Sequence, residues 1–440
     1  MDRAPALEAA LAAFVAAHAH RPRQRSAAWV AARQLAVGGS EVAALMGRSR
    51  YASFADVVAS KAGLAGFGGG PATRWGTFFE EVAEKVLALD LGVEVHGTDI
   101  SVPAPPGSGL ETSHANSPDG YCVVGLSAAH GEERLAAVAG TAAGRAAVAL
   151  LEFKCPHRRR PTGTVPRHYL PQLWSGLAVA PLAEFAIYVD AVFRKCPSAA
   201  FGPSPEVDAA YHGEAPGRYG GAVAWGVAAF YAPAGGLGDG EALAGPSAGV
   251  VDLGAAAAEV FDGALRLLEE KRLCARHAPP HLAGRPGGPF PEGRGLETAA
   301  PPPPPGYELW GLLPWKLLEL HYVPVAPRPG FLEEVRPLIQ EALGAASRIR
   351  AAPEPKAAYE AFVAARREAG RPSADEEQAL VALFDKKPPP PGGSLHAPVS
   401  DGFARRLGRR ADADQLAGLP SDPDDGGVRG RDAAEGVFPV

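Results

Sequence analysis

Eight residues, AVALLEFK at 147–154, constrain this chain more than any other stretch of it. Val148, Leu150, Leu151 and Phe153 form an apolar run of strand length, which reads as a buried strand. Glu152 and Lys154 interrupt that run at its end. Two residues apart on a strand, they project from the same face. Desolvating ionised groups is costly, so a strand keeps such a pair where that face lines a cleft instead of the core.

The flanking segments set the cleft in an α/β frame. Residues 29–66 read as helices and turns, and WGTFFEEVAEKVLALDLG (75–92) has helical periodicity, with Phe79, Val82, Ala83 and Val86 on one face. Strand patterns follow at VEVHGTDISV (93–102), DGYCVVGL (119–126), AVALLEFK and, after a helix near 169–180, EFAIYVDAVF (184–193). This order predicts a central mixed sheet flanked by helices. Further on, VAWGVAAFYA (223–232) reads as a strand and residues 260–277 as a helix. Order resumes with GYELWGLLPWKLLELHYVPV from 306 and a helical pattern at 330–343.

Glycine (53) and proline (44) exceed ordinary usage, so breaker-rich stretches divide the chain. A helical extension at 1–23 precedes a core at 24–277, which carries Gly/Pro-rich inserts near 126–145 and 202–250. A Pro/Gly-rich linker spans 278–305, a C-terminal extension of the core 306–386, and a disordered tail 387–440.

Asp119 stands at a Pro-Asp-Gly turn just before the strand pattern at 120–126. Asp on one strand with Glu-x-Lys on its neighbour suits metal-dependent phosphodiester hydrolysis. Two carboxylates bind a hard divalent cation such as Mg2+. The cation polarises a phosphoryl oxygen and acidifies the attacking water. The lysine orients that water or stabilises developing negative charge. An isolated Glu-x-Lys is more often a solvated edge-strand pair, with the aspartate merely shaping its turn. The neighbouring blocks decide.

Five of them occur in order: QRSAAWVAARQLAVGGSEVAALMGRSRYASF (24–54), WGTFFEEVAEKV, SPDGYC, LLEFKCPHRRRPTGTVPRHYLPQLW and FAIYVDAVF. Together they resemble the YqaJ-like viral recombinase family of PD-(D/E)XK nucleases, in the form carried by large DNA viruses. That family groups with phage lambda-type exonucleases and herpesvirus alkaline nucleases. The resemblance covers roughly 24–195 and, more weakly, 306–345. It implies a restriction-endonuclease-like α/β core and a Mg2+- or Mn2+-dependent deoxyribonuclease. The implied activity is 5′→3′ exonucleolytic, leaving 5′-phosphates, in viral DNA recombination or replication. Asp119, Glu152 and Lys154 match the catalytic acid, acid and lysine, and the main-chain carbonyl of Phe153 matches a metal ligand. Glu80 matches an acidic metal ligand from the preceding helix, and Gln172 a glutamine on the helix after the catalytic strand.

Two departures stand out. Asp119 and Glu152 are 33 positions apart, where the family has a short hairpin, so the insert lengthens that connection. Glu81 adjoins Glu80, and its spacing to Lys85 suits an i,i+4 surface pair.

A second constellation lies upstream. Ser40 follows Gly38 and Gly39 at the N-cap of the EVAALM helix pattern, seven residues after Arg33. A helix N-terminus attracts anions, an arginine adds bidentate geometry, and Trp29 on the same turn as Arg33 can anchor in the core. In lambda-type exonucleases an arginine and a serine at this spacing hold the terminal 5′-phosphate, and Arg33 and Ser40 match them. Arg50 matches a third basic contact, with Arg48 as an alternative. Alone, Ser40 reads as well as a simple helix cap and Arg33 as a solvated side chain.

The run His157-Arg158-Arg159-Arg160 follows the catalytic strand directly, so Arg158 and Arg159 read as a phosphate-contacting rim. Zinc among His114, Cys122, Cys155 and His157 lacks any paired-ligand spacing. GGSEVAALMG lacks the Lys-Ser/Thr of a phosphate-binding nucleotide loop. A net charge of −6 gives no global basic field, so a DNA partner must be held by a local patch. The expected partners are duplex DNA ends and a single-strand-annealing protein, with no membrane and no indication of oligomeric state. Four scattered cysteines fit a reducing compartment, and the Ala-rich N-terminus with Asp2 and Glu8 does not read as a signal peptide. The expected location is therefore intracellular, in a host nucleus or cytoplasmic viral factory. Two other readings stay open: an RNA-degrading or endonucleolytic member of the family, and a non-catalytic DNA-binding scaffold.

Overall fold

A computed structural model of the chain describes residues 4–19, 27–65, 69–125, 145–204, 207, 221–237, 250–283 and 296–369. The tail at 387–440, most of both inserts, part of the linker and the side chain of Trp29 lie outside the described residues.

Nine helices are described: α1 (Ala4–His18), α2 (Ala27–Leu35), α3 (Gly39–Leu45), α4 (Phe54–Ala62), α5 (Pro71–Leu91), α6 (Leu170–Val179), α7 (Ala258–Glu269), α8 (Phe331–Ala351) and α9 (Pro355–Glu368). The strands are β1 (Val37–Gly38), β2 (Val102–Pro103), β3 (His114–Asn116), β4 (Gly120–Gly125), β5 (Ala146–Lys154) and β6 (Phe185–Lys195). They continue with β7 (Ala224–Pro233), β8 (Val251–Asp252), β9 (Cys274–His277), β10 (His281–Leu282) and β11 (Tyr307–Val325).

The main sheet runs β10-β7-β11-β6-β5-β4, with β8 on β11 and β9 on β7. β5 and β6 are parallel, while β4–β5, β6–β11 and β7–β11 are antiparallel, so the sheet is mixed as the element order predicts. A small second sheet, β1-β3-β2, lies beside it.

Alternation along β5 divides the core in two. Ala147, Ala149, Leu151 and Phe153 face α5 and α7, packing with Phe79, Val86 and Phe261. Val148 and Leu150 face the other way, toward Val42, Val58, Leu173 and Ile339 of α3, α4, α6 and α8. A strand covered on both faces needs an unbroken apolar run, which is why AVALL carries no polar residue. Glu152 and Lys154 continue the Val148–Leu150 row, at the point where α6 presents Gln172 in place of an apolar side chain.

Two expectations need correcting. Residues 93–102 form only a bridge, His96 to Tyr121, and a short strand starting at Val102, because Gly97 takes a left-handed turn (φ 71°) in mid-pattern. The helix expected over 260–277 stops at Glu269, and Cys274–His277 turns back as β9 against β7. The extension of the core expected from residue 306 begins inside the sheet itself, with β11 lying between β6 and β7. No helix of the described residues is long and apolar enough to cross a membrane.

Candidate active site

The turn into β4, helix α6 and helix α5 converge on the end of β5. Asp119 ends the turn into β4, and its Oδ2 accepts the Phe153 N–H at 2.7 Å, which draws the turn onto β5. Glu152 is buried, and its Oε1 accepts from Lys154 Nζ and from Gln172 Nε2 at 2.5 Å on α6. Gly176 lets α6 come this close, since a β-carbon there would meet Leu150 at 2.7 Å and Asn116 at 2.8 Å. The Lys154 ammonium also lies over the Tyr169 ring, 5.2 Å from its centre. Glu80 on α5 is near enough to act electrostatically on both Asp119 and Glu152. Glu81 instead pairs with Lys85 at 2.6 Å on the outer side of α5.

Burial, and then the Glu152 charge, hold the Asp119 carboxyl well above its usual range. Burial likewise raises Glu152, against the attraction of Lys154. Burial works against the Lys154 charge, but the two carboxylates outweigh it and the ammonium is held more firmly than an ordinary lysine. Glu152 raises Asp119, Glu80 raises both, and Lys154 opposes them; such a set of crowded acids is one that a divalent cation would relieve. Among the described residues the donors reach Glu152 at Oε1 and Asp119 at Oδ2. No three His, Cys, Asp or Glu side chains among the described residues are gathered as a metal cluster. Asp119 and Glu152, joined through the Phe153 N–H and the Lys154 ammonium, are oxygen donors of the kind a hard divalent cation takes.

A cavity of about 380 Å3 opens beside this site. Arg33, Gly38, Gly39, Ser40, His114, Asn116 and Gln172 are among its lining residues. The structure brings Arg33 and Ser40 to one cavity, but not by the expected capping. Gly38 is the N-cap of α3, Ser40 lies one residue inside the helix, and the capping acceptor is Glu41, whose Oε2 takes the Gly38 N–H at 2.7 Å. Sequence reasoning missed Glu41 and the buried Lys61 that pairs with it at 2.8 Å. His114, weighed in the sequence only as a zinc ligand, is instead bonded to the Val37 carbonyl at 2.9 Å and to Ser175 Oγ at 2.8 Å and joins the small sheet to α6. Burial pushes the His114 imidazole down to about 4, so it is neutral there.

The basic run divides. Arg158 is exposed. Arg159 turns inward and makes a two-pronged pair with buried Asp190, Nη1–Oδ2 at 2.7 Å and Nη2–Oδ1 at 2.8 Å. It is therefore not part of an exposed rim. Arg160 binds Glu319 on β11 at 2.9 Å. Arg50 lies near His168, whose ring stacks edge-on against exposed Tyr51 at 5.4 Å. The zinc residues do not gather among the described residues; His114 is committed as above, and burial pushes the Cys122 thiol up to about 12.

A family model described as the YqaJ-like viral recombinase domain matches residues 28–183. A protein of African swine fever virus, in a Pretoriuskop tick isolate and in the Badajoz strain, is 30% identical to the chain. The match runs over 356 residues, 79% of this chain and 92% of the relative. The chain belongs to the YqaJ-like viral recombinase family. The YqaJ-like match contains Arg33, Ser40, Glu80, Asp119, Glu152, Lys154 and Gln172, and ends before Asp190. Among solved structures, the alkaline exonuclease LHK-Exo of Laribacter hongkongensis is similar over 38% of this chain and 74% of its own. Its identity is 20% and its TM-score 0.26, too slight a likeness to position any residue.

Proposed function

We propose that the chain is a Mg2+- or Mn2+-dependent deoxyribonuclease that degrades duplex DNA from 5′-phosphorylated ends. One observation carries this reading: Gln172 both holds the Glu152 carboxylate and lines the cavity that contains Arg33 and Ser40. A hydrolytic site and an anion seat that share a wall suit an enzyme that grips a strand end while cutting beside it.

Asp119, Glu152 and the Phe153 carbonyl would hold the metal, with Glu80 as a further acid. A bound divalent cation supplies Lewis-acid polarisation of the phosphoryl oxygens and a more acidic attacking water. The rest falls to the chain itself. Lys154, kept charged by the two acids, stabilises the negative charge that builds on the phosphoryl oxygens as water adds. The P–O3′ bond breaks, the departing O3′ takes a proton, and the shortened strand keeps a 5′-phosphate. Gln172 fixes the rotamer of Glu152, and α6 excludes water from behind it. Arg33 and Ser40 receive the terminal phosphate, and exposed Arg158 with Arg50 contacts the backbone beyond it.

The test is a time course with end-labelled linear duplex bearing 5′-phosphate or 5′-hydroxyl, closed circular DNA and RNA, each with Mg2+ and with EDTA. Metal-dependent loss of the phosphorylated duplex ahead of the others is expected. Equal cutting of closed circles would overturn the exonuclease reading, and preferential RNA loss the deoxyribonuclease reading. In the same assay Arg33→Ala is expected to lose most of the preference for phosphorylated ends.

A further inference from the structure

Lys61 is among the most deeply buried charged side chains near the cavity, with 2% of its side chain exposed. Its ammonium donates to the Arg33 carbonyl at 2.6 Å and lies 2.8 Å from Glu41 Oε2. The same carboxylate oxygen accepts the Gly38 N–H at 2.7 Å and meets Arg33 Nη2 at 3.2 Å. One oxygen thus serves two cations and a backbone donor at the cavity wall. The Arg33 guanidinium, one-third exposed, makes the longest of the three contacts.

The charge count explains why both cations are present. An arginine paired one-to-one with a carboxylate offers an incoming anion little net charge. With Lys61 beside the same carboxylate, these three groups together carry one net positive charge, and Arg33 is the cation among them that lines the cavity. Burial raises the cost of the Glu41 charge, while Lys61 and then Arg33 outweigh it and keep the carboxyl below its usual range. His114, a titratable residue of the cavity wall, is neutral. Glu111 at the rim is turned onto the Gly107 N–H at 2.6 Å.

Gly38 completes the device. Its φ of −83° suits any residue, so its backbone does not require glycine. A β-carbon there would come within 2.6 Å of Arg33 Nη2, so the missing side chain is the space in which the guanidinium lies.

We propose that Lys61 neutralises Glu41 from behind, so that Glu41 aims the Arg33 fork while Arg33 keeps its charge for a terminal phosphate monoester. Lys61 and Glu41 are positioning residues that act through Arg33. This rests on reading the cavity as the end-phosphate seat.

The experiment is the rate ratio of 5′-phosphorylated to 5′-hydroxyl linear duplex, with KM for each, using full-length chain and Mg2+. Lys61→Met leaves Glu41 to cancel Arg33, and the ratio should fall by about tenfold, the scale of one charge-assisted contact, through KM for the phosphorylated end. The double variant Glu41→Gln with Lys61→Met restores the net charge and should recover most of the ratio. Gly38→Ala displaces the guanidinium without altering any charge and should also lower the ratio. A Lys61→Met protein that melts like wild type and keeps the wild-type ratio overturns the proposal. So does a double variant as poor as Lys61→Met. Should Lys61→Met fail to fold, Gly38→Ala decides, and a wild-type ratio there overturns the proposal. Arg33→Ala with an unchanged ratio would instead remove the end-phosphate reading itself.

Discussion

Two buried acid–base pairs lie one strand apart, and they are built differently. On β6, Asp190 meets Arg159 with both oxygens engaged, and the Tyr188 hydroxyl closes the pair at 3.3 Å. On β5, directly across the register from Asp190, Lys154 leans on Glu152, and both Lys154 and Gln172 donate to the same oxygen. The arginine fork matches a carboxylate atom for atom, while lysine is a point charge. The first pair therefore closes on itself and ties the loop after β5 to the sheet. The second is lopsided and leaves the Glu152 carboxylate oriented yet not saturated. A closed pair stabilises; a lopsided pair is available for chemistry.

Substitution at each pair should separate these roles. Glu152→Gln, Asp119→Asn and Lys154→Ala are each expected to reduce cleavage of phosphorylated duplex by orders of magnitude while duplex binding in a gel-shift assay persists. Near wild-type cleavage by any of them would break the comparison. Asp190→Asn leaves Arg159 buried without its charge partner and should cost about 3–5 kcal/mol in urea unfolding. Replacing both, Asp190→Leu with Arg159→Met, should recover much of that loss, and a double variant as unstable as the single would show that the pair does more than close on itself.

Acid should weaken the fold over a defined window. The folded His114 imidazole has a pKa of about 4 against 6.5 when free. The unfolded chain therefore binds the proton first, and stability falls as pH drops from 6.5 toward 4, levelling below that. For His114 alone the loss approaches roughly 3 kcal/mol, read as Tm against pH. His114→Gln should flatten that curve, and an unchanged slope would count against a neutral buried histidine. Smallest is the effect of Asp119→Asn on stability. Its carboxyl is raised by burial and by Glu152, so removing the charge should raise Tm, by about 2–4 °C per kcal/mol gained. A fall in Tm would mean that the bond to the Phe153 N–H outweighs the electrostatic cost.

The strand that carries Glu152 and Lys154 was legible because an acid and a base at the end of an apolar run conflict with a simple buried strand. Asp190 carries the same signal in AIYVDAVF, and it passed unread because its partner Arg159 sits in a basic run that looks like a solvated loop. Lys61 left no trace at all. A lysine in the last turn of a helix is ordinary, and only tertiary packing beside Glu41 makes it buried. Ser40 was misplaced by a small margin, because glycine also caps helices and Glu41 could reach back to the Gly38 N–H. The mixed sheet followed from strand and helix order, but the position of β11 did not, since order along the chain says nothing of a late strand entering the middle of a sheet.

That late strand has a consequence for biosynthesis. Every candidate site residue has been made by residue 172, yet among the described strands β6 and β7 are bridged in the sheet by residues 307–325. Until β11 leaves the ribosome, both strands present bare edges to other nascent chains, and contacts spanning more than a hundred residues must still form. A message truncated upstream of residue 307 would thus encode every candidate site residue but not the strand that lies between β6 and β7 in the sheet.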